Sequence, residues 1–361
     1  MSGPQHQHFI PRSYIKNFAI KHGGTYLVEA KLKSDYSPKN KLIGIKDICV
    51  NKNLYTIPNS NDDDKYALEK FYATNVDSVY PEVYNLLVDP SVKEITAEQR
   101  VKIIYTTLSL YFRTPHFLRA NEKEADKAID LAILNHKDGT EIIKLTVDEN
   151  SFEFRYNEIE IFRSKLKKQL KLNFLKNHLG DWQRFVEHKV RAGIYVLKIN
   201  GDIALISSDN PISINKPFYA LEDIFDPGNM ISFAIDHKHY VQIMPNDIES
   251  VNQIFRGERD SLFAIGQNHS TEESSEEWIY GIPGSITRHI KDQSKYEEIN
   301  EDNIKILDEM KEITCDMIEL VELIEKYGRA DSRVIQLAKQ LSNKEIHKED
   351  KKLKDIANGD I

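Results

Sequence analysis

Apolar residues recur near every 3.6 positions over several long stretches of this chain and alternate over several short ones, a mixture that predicts helices and strands together. From Tyr66 to Leu87 the positions Leu68, Phe71, Tyr72, Val76, Val79 and Tyr80 read as a helix that Pro81 interrupts or bends. Thr96-Ala97-Glu98-Gln99 has the capping-box spacing, and the helix it opens is apolar on most sides through Phe112, as expected of an element buried by its neighbours. Further helices are expected from about Phe117 to Asn135, over 159–179 as a basic amphipathic stretch, and again from Trp182. Short alternating runs predict strands at Thr25–Ala30, at Ile43–Cys49 and Leu54–Ile57 across a turn at 51–53, and within 142–154. Ile194–Ile199 and Asp202–Ile206 flank Asn200-Gly201, the residue pair that favours a type I′ hairpin turn. Two more strands are expected at Ile231–Ile235 and Tyr240–Met244, then a helix over 246–255 and a strand at 262–265.

The two ends contrast. Phe9, Ile10, Tyr14, Ile15 and Phe18 crowd the opening segment, too many large apolar groups for a frayed leader, and Pro11 suits a helix start. Beyond Gly266 the composition shifts: an acidic, serine-rich loop is followed by a stripe from Ile304 to Ile324 and a short helix near 332–341. Spacings of four and three along that stripe suit packing against another helix, the chain's own or a partner's, so a homo-oligomer or a protein partner is open through 304–324. The pattern as a whole predicts the α+β class, with a mainly helical N-terminal half, a small antiparallel sheet around residues 194–265 and a helical C-terminus. Residues 1–266 form one domain in this reading, 267–342 a helical extension, and 343–361 a charged, flexible tail.

Composition narrows the classes. A chain of 361 residues with 40% hydrophobic content can bury a sizeable core, and 57 acids against 49 bases leave a net charge of −8 that opposes general affinity for nucleic acid or anionic membranes. A local basic patch such as Lys165-Leu166-Lys167-Lys168-Gln169-Leu170-Lys171 keeps nucleic acid open as a partner, although such a run is more often a solvated helix face. Cys49 and Cys315 suggest neither a disulfide framework nor a zinc cluster and point to a reducing cytoplasm. No apolar run approaches the roughly 20 residues that span a bilayer, so no membrane is expected.

Four separated pieces carry a resemblance. Gln7-His8-Phe9-Ile10-Pro11-Arg12-Ser13-Tyr14-Ile15-Lys16-Asn17-Phe18, then Asp47-Ile48-Cys49 with Asn53-Leu54-Tyr55, then Arg113-Thr114-Pro115, then Ser208-Asp209-Asn210-Pro211 stand in the order and spacing of the bacterial family called domain of unknown function 4238 (DUF 4238), which the chain resembles over roughly residues 5–266. Phe233-Ala234-Ile235-Asp236-His237 departs from that family's Pro-Leu-Ser-Pro-like segment. The family name implies no activity, and the resemblance suggests a defence- or toxin-type protein.

Within these pieces His8, Arg113, Asp209 and Asn210 are the candidate catalytic residues. An imidazole, a guanidinium, a carboxylate and an amide together can bind and polarise a phosphate or carbonyl group. In an enzyme of nuclease-like type, acting on a phosphate-bearing substrate, His8 would be general acid or base, Arg113 would stabilise anionic charge, and Asp209 and Asn210 would orient the substrate or a divalent metal. Each residue also has a structural reading. His8 would cap a helix start, Arg113 would form an ion pair with an acid such as Asp209, and Asp209-Asn210-Pro211 would make an Asx turn. The alternative function is then a non-enzymatic binding or regulatory module of a bacterial defence complex. Asp236-His237-Lys238-His239 places two histidines on one strand face, but without a third ligand it reads as a polar hairpin tip.

Overall fold

The computed structural model describes residues 6–34, 40–57, 65–136, 142–147, 150–215, 226, 228–245, 252–292, 316–344, 347 and 351–358. They fall in two compact units, Met1–Lys291 and Asp292–Ile361. The first begins with β1 (His6–His8), α1 (Arg12–Ile15), β2 (Ile20–His22), β3 (Thr25–Leu32), β4 (Lys41–Gly44) and β5 (Val50–Lys52). Then come α2 (Ala67–Tyr72), α3 (Tyr80–Val88), α4 (Ala97–Phe112) and α5 (Pro115–Leu134), with a π-helical turn at Ala73–Asp77 joining α2 to α3. That turn supplies the bend assigned to Pro81, which instead occupies the first turn of α3, where its missing N–H costs nothing. The expected capping box holds: Thr96 Oγ1 accepts from Gln99 N–H at 3.1 Å, and Gln99 Oε1 accepts from Thr96 N–H at 2.9 Å.

After the hairpin β6 (Ile142–Val147) and β7 (Asn150–Arg155), α6 runs unbroken over Ile159–Lys189. Then follow β8 (Ile194–Ile199), β9 (Ser207–Ser208), β10 (Ser213–Asn215), β11 (Met230–Ala234), β12 (His239–Ile243), β13 (Ile254–Arg259), α7 (Ser261–Ser274) and β14 (Trp278–Gly281). Two five-stranded sheets result, one ordered β10-β11-β12-β8-β13 and one ordered β2-β3-β14-β9 with β4 on the outer side of β3.

The α+β class stands, but the expected distribution does not. Helices are spread along the chain, the N-terminal half supplies three strands of the second sheet, and β13 joins β8 in parallel. The Asn200-Gly201 hairpin is absent. Asn200 is not among the residues with positive φ, and β8 pairs with β12 and β13 while the chain moves on to place β9 in the other sheet. Gly201 serves a close approach instead, since a Cβ there would run into Ser261 Oγ. The helix expected over 246–255 is overturned where it is described, by β13, and 246–251 lie outside the described residues. The strand expected at 262–265 lies inside α7, whose start Asp260 caps by accepting from Phe263 N–H.

The opening segment is core, as its apolar content required. Ile10, Tyr14, Ile15 and Phe18 are fully buried, and the Tyr14 hydroxyl, 2.8 Å from Ser207 Oγ, donates to Ala234 O at 2.7 Å. The second unit is built from a helix over 316–327 with α8 (Ser332–Ser342) and α9 (Lys351–Asn358), the last inside the charged C-terminal stretch. Leu320 of the predicted stripe is buried with Val334, Ala338, Leu341, Leu353 and Ala357, and Met317 and Ile324 pack on that cluster. The chain's own helices therefore cover this part of the stripe; residues 304–315 lie outside the described ones. Among the described residues no helix is long and apolar enough to cross a membrane.

Candidate functional site

Arg113 is the residue around which the site is built. It caps the C-terminus of α4, a helix so apolar that its end lies deep in the first unit, and it is only 2% exposed. An unpaired cation there would cost several kcal/mol. Its partner is Asp77, not Asp209: NH1 donates to Asp77 Oδ1 at 2.6 Å and NH2 to the backbone oxygen of His8 at 2.9 Å. The guanidinium lies 4.4 Å from the centroid of the Tyr72 ring, and the Tyr55 hydroxyl donates to the Arg113 carbonyl. Burial works against this cation, yet the charge and hydrogen bond of Asp77 together with Tyr55 and Tyr72 outweigh it and push the Arg113 pKa up.

His8 enters by pairing rather than by capping. β1 lies antiparallel to β5 with His8 opposite Val50, and Gln7 locks the register by accepting from Tyr55 N–H at 2.7 Å. Burial, helped by the positive charges of Arg12 and Arg113, pushes the His8 pKa down and keeps the ring neutral. Glu69 on α2 is shifted the other way, its carboxyl raised by burial against the pull of Arg113. Nε2 of His8 and Oε2 of Glu69 are both buried with no hydrogen-bond partner among the described residues. Behind them His178 Nε2 meets the Tyr72 hydroxyl at 2.8 Å.

Asp209 and Asn210 do a different task. Asp209 Oδ1 accepts from Glu276 N–H at 2.9 Å and Oδ2 from Glu277 N–H at 2.7 Å, while its own N–H donates to Trp278 O at 3.1 Å. Asn210 Nδ2 donates to Ser274 O at 3.0 Å. This is a clamp between the exit of β9 and the turn from α7 to β14, in place of the expected Asx turn. Burial raises the Asp209 pKa although these amides oppose it. From the far side Glu276 meets His116 Nδ1 at 2.6 Å and Arg119 NH1 at 3.0 Å, so Arg113-Thr114-Pro115-His116 touches both clusters. The two clusters also converge on Cys49, whose carbonyl accepts from Phe9 N–H and whose buried thiol is pushed up by desolvation and by the charges of Asp209 and Glu277. Asp209→Ala would leave two part-buried amides without their acceptor and is expected to lower stability by about 2 kcal/mol in a urea titration; a change under about 0.5 kcal/mol would show that water replaces the carboxylate.

Sequence reasoning missed Asp77, Glu69 and His116. His116 was visible in the motif that holds Arg113, whereas Asp77 reaches Arg113 from the π-helical turn, a register that a 3.6-residue period hides. Asp236 is spent on a hairpin tip, accepting from the backbone amides of Lys238 and His239 at 2.6 and 2.7 Å and from the Tyr84 hydroxyl at 2.8 Å. Among the described residues no three His, Cys, Asp or Glu side chains converge as a metal-binding set.

Comparison with known proteins agrees with the four motifs. The model of the family described as protein of unknown function (DUF4238) matches residues 6–306, and the chain belongs to that family. The match runs past residue 266, where the resemblance ended, and takes in β14, which lies between β3 and β9 in the second sheet. No curated protein and no solved structure matches the chain.

Proposed function

We propose that the protein is a non-enzymatic binding or regulatory module whose motif residues fasten the N-terminal segment to the body of the first unit. The observation that carries this reading is the state of Arg113, whose two terminal nitrogens are taken by Asp77 and by the His8 carbonyl. At 2% exposure the guanidinium is closed to a substrate anion from solvent, although its Nε is buried without a hydrogen-bond partner among the described residues. Asp209 likewise spends both carboxylate oxygens on backbone amides, and Asn210 its Nδ2 on a backbone carbonyl, with Asn210 Oδ1 left buried and unpartnered among the described residues. The defence setting comes from the resemblance alone, and the module reading does not need it. In the test, the protein is incubated with DNA, RNA and nucleotides, with and without Mg²⁺, and His8→Ala and Asp209→Ala are melted beside the parent. No turnover, with Asp209→Ala melting several degrees lower, is expected. Turnover lost in either variant at an unchanged melting temperature would overturn it.

One observation favours a second reading, acid–base catalysis on a phosphate-bearing substrate. His8 and Glu69 are shifted in opposite directions and each presents a buried, unpartnered atom, the pattern of an acid and a base held beside a cation. Activity from the same incubation that is lost in Glu69→Gln would support it.

A further inference from the structure

The basic run on α6 is divided by the acids of α5. Asp126 accepts from Arg163 NH1 at 2.9 Å and from Lys167 Nζ at 2.9 Å, and Arg163 NH2 also reaches Asp130. Lys168 and Lys171, three residues apart on the adjoining face, form no ion pair among the described residues, although Lys171 is half-buried. With no carboxylate of the described residues paired to them, both ammonium groups are available to an incoming anion.

Those two lysines line a hollow of about 400 Å³ together with Asn53, Thr56, Leu172 and Leu175. Its size falls within the range of small-molecule sites, roughly 300–1,000 Å³. Leu175 is buried and Leu172 half-buried, which gives the hollow an apolar wall, while the lysines, the Asn53 amide and the Thr56 hydroxyl offer donors. We infer that this hollow binds a small organic anion, its charged head held by Lys168 and Lys171 and its apolar body laid on Leu172 and Leu175. Nucleic acid fits less well. The lysines also border a second hollow that carries Glu122 and Glu160, whose carboxylates would repel a polyanion extending beyond the site.

The hollow is lined by none of the residues of the Arg113 cluster, although Thr56 adjoins Tyr55 and accepts from Gln7 Nε2 at 3.4 Å, and the inference stands whether or not the module reading does. The test is isothermal titration of the full chain with three probes: dodecanoate, adenosine monophosphate and inorganic phosphate. Dodecanoate or the nucleotide should bind, the tighter of the two naming the source of the apolar body, and free phosphate should bind about tenfold more weakly or not at all. Both Lys168→Gln/Lys171→Gln and Leu172→Gln should weaken the organic anion about tenfold while the lysine variant melts like the parent. Absence of binding by both organic anions at millimolar concentration, phosphate binding as tightly as either, or affinity unchanged in the lysine variant would overturn the inference.

Discussion

Replacing Asp77 with asparagine is expected to destabilise the first unit by about 3 kcal/mol, the low end of what breaking a buried ion pair costs. The size follows from asymmetry in exposure. Arg113 is 2% exposed and stays a buried cation in the variant, while Asp77, at 33%, leaves room for water to offset part of the loss. Asparagine can still accept a hydrogen bond, so the substitution isolates the charge. Arg113→Met should cost less than the sum suggests when combined with Asp77→Asn, because removing the cation removes the need for its partner. The midpoints of urea titrations decide it. A single variant within about 0.5 kcal/mol of the parent, or strict additivity in the pair, would mean that Arg113 is neutralised elsewhere.

Acidification should weaken the fold through His178. This side chain is fully buried, stacks on Phe174 at 4.5 Å, has Nδ1 2.7 Å from Phe174 O and has Nε2 2.8 Å from the Tyr72 hydroxyl. Both contacts are met by the neutral ring, with Nδ1–H donating and Nε2 accepting. Burial holds its pKa down at about 4. The folded pKa is below the unfolded value near 6.5, so the unfolded chain takes up the proton first. The stability contributed by the neutral ring is therefore complete above about pH 6.5 and declines as pH falls toward 4. At pH 5 the loss is about 2 kcal/mol. His8, also lowered by burial, adds in the same direction. His178→Gln should be less stable than the parent at pH 7.5, with a difference that shrinks by pH 5; a difference independent of pH would remove His178 from the titration.

Where a local signal and a long-range demand agreed, the fold was legible. The apolar opening segment had to be core, and the Thr96 capping box and the β11–β12 hairpin are complete within a few residues. Asn200-Gly201 shows the opposite case. The pair is a strong local turn signal, but β8 gains more by pairing along its length with β12 and β13, strands at least 40 residues away. The short apolar run at 262–265 could serve either period, and only the Asp260 cap reveals the helix. For the site, burial of Arg113 demanded an acid without naming it. Asp209 was a reasonable candidate, but its carboxylate is committed to the amides of Glu276 and Glu277, and Asp77 is nearer in space through a turn of unusual register.

The fastening of the opening segment also bears on how the chain is made. Tyr14 is bonded to Ser207 and Ala234, and Phe18 meets the ring of Tyr280 with centroids 5.9 Å apart. On a ribosome the aromatic side chains of residues 9–18 emerge long before those partners exist, by roughly ten to fifty seconds at ordinary elongation rates. Through that interval the segment is an unsatisfied, sticky leading stretch, and the first unit closes over it only once β14 has been delivered.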